Sequence, residues 1–279
     1  MSGVAVAAGR ISWFWWPSCA GLVVTLLTYL FTTFTVQGQA IVDEAWLDRV
    51  AEGRGWLRAS RHLLEFIDVG TVVGVLVALL VVTGVRGRWP MGAALGGGLL
   101  MAVASAEVLK VVLPRPDLAP KLEAMMGEHA ANSFPSGHVT IVTASVLAAL
   151  VVLPAQARLR LALLGGVLVA AVSCAVVAAG WHRPSDALGG LGWGLAVQGL
   201  VVAVVLWRFG AQNRPGTRVR WFWPACVGVM VILVVLLLGA LGTGPAWPGA
   251  FALAEVALAT AAVLAIGWTA WLLRNMEVS

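Results

Sequence analysis

Two short segments of the sequence carry most of the side chains that are able to do chemistry. Residues 132–138 read Asn-Ser-Phe-Pro-Ser-Gly-His, and residues 180–186 read Gly-Trp-His-Arg-Pro-Ser-Asp. In the first segment a proline and Gly137 flank Ser136 directly before a long apolar run. Free backbone N–H groups and the positive end of a helix dipole can therefore face an anion at this position. The first segment thus predicts a site for a phosphate-sized anion at the start of a helix.

The second segment pairs a histidine with a carboxylate. His182 and Asp186 are four residues apart, and this spacing places both side chains on one face if the turn is helical. The carboxylate can then fix the tautomer of the imidazole, which is the arrangement of an activated nucleophile or base. Lys110 and Arg115 precede both segments and add positive charge to the set. Glu107 lies three residues before Lys110, and we expect the two to pair on one helix face.

The composition places these segments in a membrane protein. Of the 279 residues, 60% are hydrophobic and only 11% are charged, a balance outside the range of soluble domains. The formal charge is +5, but the basic residues fall in short breaks between apolar runs, where membrane topology explains them. No nucleic-acid role is therefore expected. Cys19, Cys174 and Cys226 stand alone in apolar runs, without the paired spacing of a zinc site or a redox motif.

The apolar runs predict an all-α, polytopic membrane helical bundle. A helix needs about 20 residues to cross the hydrocarbon core, and on that basis the chain holds about eight transmembrane helices. They are expected near residues 13–36, 67–85, 91–113, 137–153, 161–181, 187–207, 222–243 and 249–273. Residues 1–210 then form a six-span core with active-site loops 110–138 and 180–186, and residues 211–279 add two C-terminal transmembrane helices.

The distribution of lysine and arginine predicts which loops face outward. The loops after spans two, four and six are the basic ones, so they are assigned to the cytoplasmic side. The other loops face outward, and both chemistry-bearing segments are among them. The first outward loop, residues 37–66, has five apolar residues that could share one helical face: Trp46, Leu47, Val50, Leu57 and Leu64. This pattern predicts a helix lying on the membrane surface.

The order of the motifs is similar to that of a known family. A lysine followed by Arg-Pro, then Pro-Ser-Gly-His, then a histidine with an aspartate four residues later, all between apolar helices, resembles the type 2 phosphatidic acid phosphatase superfamily. The resemblance covers spans two to six, and the Pro-Ser-Gly-His element is its most specific part. It implies a six-helix phosphatase core within the bundle.

The resemblance implies a role for each residue of the two segments. His182 would attack phosphorus and form a phosphohistidine, Asp186 would orient it, and His138 would protonate the leaving oxygen and later activate water. The phosphoryl oxygens would be held by donors from several places in the sequence: Lys110, Arg115, Ser136 and Gly137. No metal and no other cofactor is implied.

Two positions depart from the pattern of the family. Only four residues, Val111 to Pro114, separate the lysine from Arg-Pro, where the family usually has six. The third motif of the family has an arginine six residues before the histidine, and here that position is Val176. Arg183 is expected to supply part of the missing phosphate-binding charge from the other side of His182.

The resemblance therefore implies a metal-independent membrane phosphatase, acting on a phosphomonoester or pyrophosphate of a lipid-linked substrate at the extracytoplasmic face of the cell membrane. An isoprenoid carrier, a phosphatidate or a phosphorylated glycolipid would suit such a site, and an isoprenoid pyrophosphate is the first candidate. Two alternatives stay open. One is a transporter or flippase that binds a lipid phosphate without cleaving it, and the other is a catalytically inactive scaffold of the same fold, which Val176 favours.

Overall fold

A computed structural model describes residues 15–49, 54–118, 132–209, 211–213, 249–273 and 276–278. Over these residues the chain is almost entirely helical. In chain order the helices are α1 (Trp15–Phe34), α2 (Val36–Asp48), α3 (Arg54–Glu65), α4 (Val69–Val85), α5 (Trp89–Val112), α6 (Gly137–Val152), α7 (Ala155–Ala178), α8 (Pro184–Phe209) and α9 (Ala250–Leu273). Two short strands, β1 (Ala211–Asn213) and β2 (Met276–Val278), pair antiparallel. The prediction of an all-α bundle is confirmed, with this short strand pair as an addition.

The long helices have the dimensions of membrane spans. Among the described residues, five helices are long and apolar enough to cross a bilayer: α1, α5, α7, α8 and most of α9. Helices α3 and α4 pass the same test only as a pair bent by 49°, and α6 is apolar but shorter. Seven of the eight predicted spans coincide with a helix, and the remaining one, residues 222–243, lies outside the described residues. The chain is therefore a multi-pass membrane protein.

The first outward loop folds differently from its prediction. It forms two helices, α2 and α3, and residues 50–53 lie outside the described ranges. Trp46 on α2 and Leu64 on α3 are both buried, so they pack against protein and not against headgroups. The single apolar face predicted from the sequence is wrong, because Trp46 and Leu47 belong to one helix and Leu57 and Leu64 to another, while Val50 lies outside the described residues. Helix α2 contacts α1 and α9, whereas α3 packs on α7.

Two glycines let α8 lie directly against the start of α6. A Cβ atom at Gly190 would lie 2.5 Å from the carbonyl oxygen of Ser136, and one at Gly189 would overlap the ring of Phe134. Both approaches are far closer than van der Waals contact, so only glycine permits this packing. The N–H of Ser136 also donates to the carbonyl oxygen of Asp186 at 2.8 Å. The two chemistry-bearing segments are therefore joined through their backbones.

The C-terminal helix is packed into the bundle. Helix α9 lies against α7 and also contacts α2 and α8. The buried guanidinium of Arg158 donates to the carbonyl oxygen of Leu273 at 2.7 Å and to that of Leu150 at 2.8 Å. These carbonyl groups lie in the last turns of α9 and α6, where intrahelical partners are missing. The division into residues 1–210 and 211–279 stays a prediction, and the structure adds that α9 contacts helices of the first part.

Candidate active site

The turn between α7 and α8 presents His182 at the start of α8. Gly180 has a φ of +77°, a conformation that favours glycine. The N–H groups of Trp181 and His182 donate to the carbonyl oxygen of Val176 at 3.0 and 3.1 Å, which closes the turn over the end of α7. Helix α8 then begins at Pro184, a residue suited to the first helical position. The backbone therefore fixes where His182 stands relative to α8.

Asp186, in the first turn of α8, is surrounded by donors. Its Oδ2 lies 3.5 Å from Nδ1 of His182 and accepts the backbone N–H of Arg183 at 3.0 Å. The hydroxyl of Ser133 also donates to Oδ2, and that of Ser185 donates to Oδ1 at 3.3 Å. Because Asp186 is buried, these donors replace the water that a carboxylate needs. With Nδ1 of His182 next to this carboxylate, the other ring nitrogen, Nε2, is the one left for chemistry.

Helix α6 begins where the sequence predicts, at Gly137, with Ser136 as its N-cap residue. The side chain of Ser136 makes no capping hydrogen bond, and its buried Oγ has no hydrogen-bond partner among the described residues. An unsatisfied buried hydroxyl is unfavourable by about 1–3 kcal/mol. The first turn of a helix also has N–H groups without intrahelical partners. A bound oxyanion would satisfy both the hydroxyl and these amides.

Lys110 reaches the start of α6 from the end of α5. A Cβ atom at Gly137 would lie 3.4 Å from Nζ of Lys110 and 2.8 Å from Oε1 of Glu107. Nζ and Oε1 are themselves 2.6 Å apart, which confirms the pairing expected from their spacing. The side chain of Lys110 is 22% exposed and that of Glu107 is 57% exposed. The pair therefore lies at the solvent edge of this region, with the ammonium group beside the start of α6.

Replacement of Glu107 by glutamine is expected to lower KM for an anionic substrate by about two- to fivefold and to leave kcat within about twofold. Under the prediction that Lys110 binds phosphate, the carboxylate competes with the substrate for the ammonium group, and an exposed ion pair is worth about 0.2–1 kcal/mol. The measurement is a Michaelis curve for the purified variant. Glu65→Gln is the matched control, because Glu65 forms a similar exposed i, i+3 pair with His62. An unchanged or raised KM in Glu107→Gln would contradict this competition.

His138 faces the turn that carries His182. Its ring centroid is 5.3 Å from that of Trp181, at an interplanar angle of 51°. His182, Lys110 and Glu107 all lie close enough to His138 to act on its charge. His138 is half-buried, in the first turn of α6. The two imidazoles and the lysine therefore lie in one region of the structure.

Arg115 and Arg183, both predicted to bind phosphate, converge on Asp43 of α2. Nη2 of Arg115 lies 3.1 and 3.4 Å from the two carboxylate oxygens of Asp43. Nε of Arg183 lies 2.7 Å from Oδ1 of the same carboxylate. All three side chains are almost completely buried. Phosphate binding by the two arginines stays a prediction, and the contact present in the structure is with Asp43.

The position expected to hold an arginine in the third motif is part of the core. Val176 is fully buried in α7, and its carbonyl oxygen anchors the turn before α8. Arg183 was expected to replace part of the missing charge. Its backbone N–H is committed to Asp186 and its Nε to Asp43, so any charge that it offers to phosphate comes from a fixed position.

Sequence reasoning did not single out Asp43 or Ser133. Ser133 lies inside the first segment, but serine is common in loops and its spacing to Asp186 carries no local signal. Asp43 lies 140 residues from Arg183 in the chain. One available signal was the i, i+4 spacing of Asp43 and Gln39, two polar residues that prove to share the buried face of α2.

Over the described residues, no group of three or more His, Cys, Asp or Glu side chains is arranged to hold a metal ion.

A family model described as the PAP2 superfamily matches residues 92–210. This range begins within α5 and ends directly after α8. It includes every residue predicted for the site, from Lys110 to Asp186. Neither the curated proteins nor the solved structures gave a significant match to this chain.

Proposed function

Because residues 92–210 of this chain belong to the PAP2 superfamily, whose members are phosphatases, we propose that the protein hydrolyses a phosphomonoester or pyrophosphate of a lipid-linked substrate. Family membership itself implies phosphatase-type activity in a multi-pass membrane protein. The proposal adds the lipid substrate, a phosphohistidine intermediate, independence from metal and an extracytoplasmic active site.

The observation that carries the proposal is the convergence of two histidines on one helix start. His138 lies in the first turn of α6, against Trp181, and within electrostatic range of His182 and Lys110. The hydroxyl of Ser136 has no hydrogen-bond partner within the described part of the chain. The next residue, Gly137, lies beside the ammonium group of Lys110. A tetrahedral oxyanion placed there would meet a nucleophile, an acid and several donors together.

In the first step, Nε2 of His182 attacks phosphorus. A nitrogen–phosphorus bond forms, and the bond from phosphorus to the leaving oxygen breaks. His138 gives its proton to that oxygen, so the lipid leaves as an alcohol or, from a pyrophosphate, as a lipid monophosphate. Asp186 beside Nδ1 keeps the ring in the reactive tautomer and stabilises the positive charge that develops on it.

In the second step, water hydrolyses the phosphohistidine. His138, now neutral, takes a proton from water, and the hydroxide attacks phosphorus as the nitrogen–phosphorus bond breaks. Inorganic phosphate leaves, and His182 and the protonated His138 are restored. Lys110, the Ser136 hydroxyl and the Gly137 N–H hold the phosphoryl oxygens in both steps, with Arg115 and Arg183 adding positive potential.

The distribution of charged residues supports a lipid substrate and an outward-facing site. The basic loops assigned to the cytoplasm lie at the opposite ends of the spans from the 180–186 turn. The candidate residues lie at the ends of apolar helices, and the proposal puts these ends at the headgroup level, where the phosphate of a membrane lipid would meet them. An isoprenoid pyrophosphate, a phosphatidate or a phosphorylated glycolipid has the required chemistry.

One observation favours a second candidate function. With valine at position 176, the site lacks a guanidinium from α7, and its loss weakens transition-state binding by several kcal/mol in such a site. A chain of this kind would bind lipid phosphates without turning them over, as a flippase or a scaffold does.

Phosphate release by the purified full chain in detergent micelles separates the two functions. The substrates are a phosphatidate, an isoprenyl pyrophosphate and water-soluble p-nitrophenyl phosphate, each with and without EDTA. The expected result is release that survives EDTA, with kcat/KM for at least one lipid about tenfold above that for the soluble ester. Binding of a lipid phosphate without release would favour the second function, and release abolished by EDTA would contradict the metal-independent mechanism.

A further inference from the structure

Asp43 is a fully buried carboxylate between two guanidinium groups. Its side chain is 0% exposed, and those of Arg115 and Arg183 are 5% and 2% exposed. Burial of a charge is unfavourable by several kcal/mol unless its partners are well placed. A cluster of this kind therefore holds its members in one geometry, because displacement of any member leaves the others uncompensated.

The cluster connects α2 to both loops of the candidate site. Arg115 belongs to the loop after α5, and Arg183 follows His182 directly. The backbone N–H of Arg183 donates to Oδ2 of Asp186, the oxygen that lies beside Nδ1 of His182. A short path of contacts thus runs from Asp43 through Arg183 to the histidine–aspartate pair.

Other residues of α2 strengthen the same connection. The amide nitrogen of Gln39 donates to the carbonyl oxygen of Pro116 at 2.6 Å, and its oxygen accepts the N–H of Leu118 at 3.0 Å. Nε1 of Trp46 donates to the carbonyl oxygen of Gly180 at 3.2 Å. Helix α2 therefore contacts the 115–118 loop and the 180–183 turn along one face.

We propose that Asp43 is a positioning residue of the active site, which holds Arg115 and Arg183 and through them fixes His182 and Asp186. The proposal rests on the proposed function. It extends the site to α2, which lies outside residues 92–210, the range matched by the family model. In this role Asp43 acts through the two arginines and not on the substrate phosphate, so its replacement should change the rate of the chemical step more than substrate binding.

The test compares Asp43→Asn with Glu44→Gln in the purified full chain. Glu44 is the next residue of α2 and its side chain is exposed, so the control removes the same charge without entering the cluster. We expect Asp43→Asn to lower kcat by about 10- to 100-fold, since misplacement of reacting groups has effects of this size. KM should change by less than about threefold, and Glu44→Gln should match the wild type.

A second variant keeps the test decisive if Asp43→Asn folds poorly. Asp43→Asn/Arg115→Gln removes one charge of each sign, and its folding is checked by size-exclusion chromatography and thermal unfolding. The double variant is expected to fold and to show the same loss of kcat. A wild-type kcat in either folded variant would overturn the proposal, as would failure of both variants to fold.

Two further outcomes have distinct meanings. A lower KM with unchanged or higher kcat in Asp43→Asn would mean that the guanidiniums bind phosphate directly and that Asp43 competes with it, which overturns positioning. Absence of turnover by the wild-type protein would reject the proposed function and with it this role of Asp43. If the wild-type protein is active, the kcat values of the variants decide whether Asp43 positions the site.

Discussion

Replacement of His182 by alanine is expected to lower kcat by at least about 10⁴-fold, with KM changed by less than about threefold. The imidazole is proposed to form the bond to phosphorus, and its Nδ1 lies 3.5 Å from Oδ2 of Asp186. The donors proposed to bind the phosphate remain in the variant, so the affinity for the unreacted substrate should change little. The measurement is phosphate release from the best lipid substrate under saturating conditions.

His62→Ala is the control for this variant. His62 is an exposed histidine of α3 that pairs with Glu65 at 3.2 Å, and its loss should leave kcat within about twofold. A covalent intermediate gives an independent readout, since ³²P-labelled substrate should label the wild type but not His182→Ala. The label should be lost in acid and retained in base, as expected for a phosphoramidate. A His182→Ala rate within tenfold of the wild type would exclude His182 as the nucleophile.

Replacement of Asp186 by asparagine is expected to lower kcat by about 10²- to 10⁴-fold, and the upper value is the loss known for the orienting carboxylate of a catalytic triad. In the proposed mechanism the carboxylate beside Nδ1 keeps the imidazole proton on that nitrogen and so leaves the lone pair on Nε2. An asparagine can turn its NH₂ group toward Nδ1, and the imidazole proton then moves to Nε2, where it blocks attack on phosphorus. The same assay measures the loss.

Asp68→Asn separates this effect from the general removal of an acid. Asp68 caps α4 by accepting the N–H of Thr71 at 2.9 Å, so its replacement affects stability by about 1 kcal/mol at most and not the chemistry. Ser133→Ala should give a smaller loss of kcat than Asp186→Asn, because it removes only one donor to the carboxylate. Asp186→Asn with a wild-type kcat would show that the carboxylate does not set the tautomer.

Local patterns of the sequence predict the parts of this structure that depend on neighbours along the chain. Apolar length marks the spans, since each helix must satisfy its own backbone in a bilayer. Helix α6 begins at Gly137 because a proline, a serine and a glycine precede an apolar run there. The contact between His182 and Asp186 follows in the same way from i, i+4 spacing at the start of α8.

The parts that could not be predicted depend on contacts between distant segments. Asp43 meets Arg115 and Arg183 over separations of 72 and 140 residues, and charge patterns in a loop do not reveal such a cluster. The face predicted for residues 37–66 was wrong for a related reason. A count of apolar residues cannot show that Gln39 and Asp43 turn inward, because the polar partners that make their burial favourable come from other loops.

The hydrogen bonds of Arg158 indicate how much of the chain the fold requires. Its guanidinium joins the last turn of α6, the helix that carries Ser136 and His138 at its other end, to Leu273 of α9. A chain cut after residue 210 would lose that acceptor and leave part of a cation without a partner in the protein interior. We therefore expect a fragment that ends at residue 210 to be less stable than the full chain, because residues 92–210, the range matched by the family model, are anchored to the final helix.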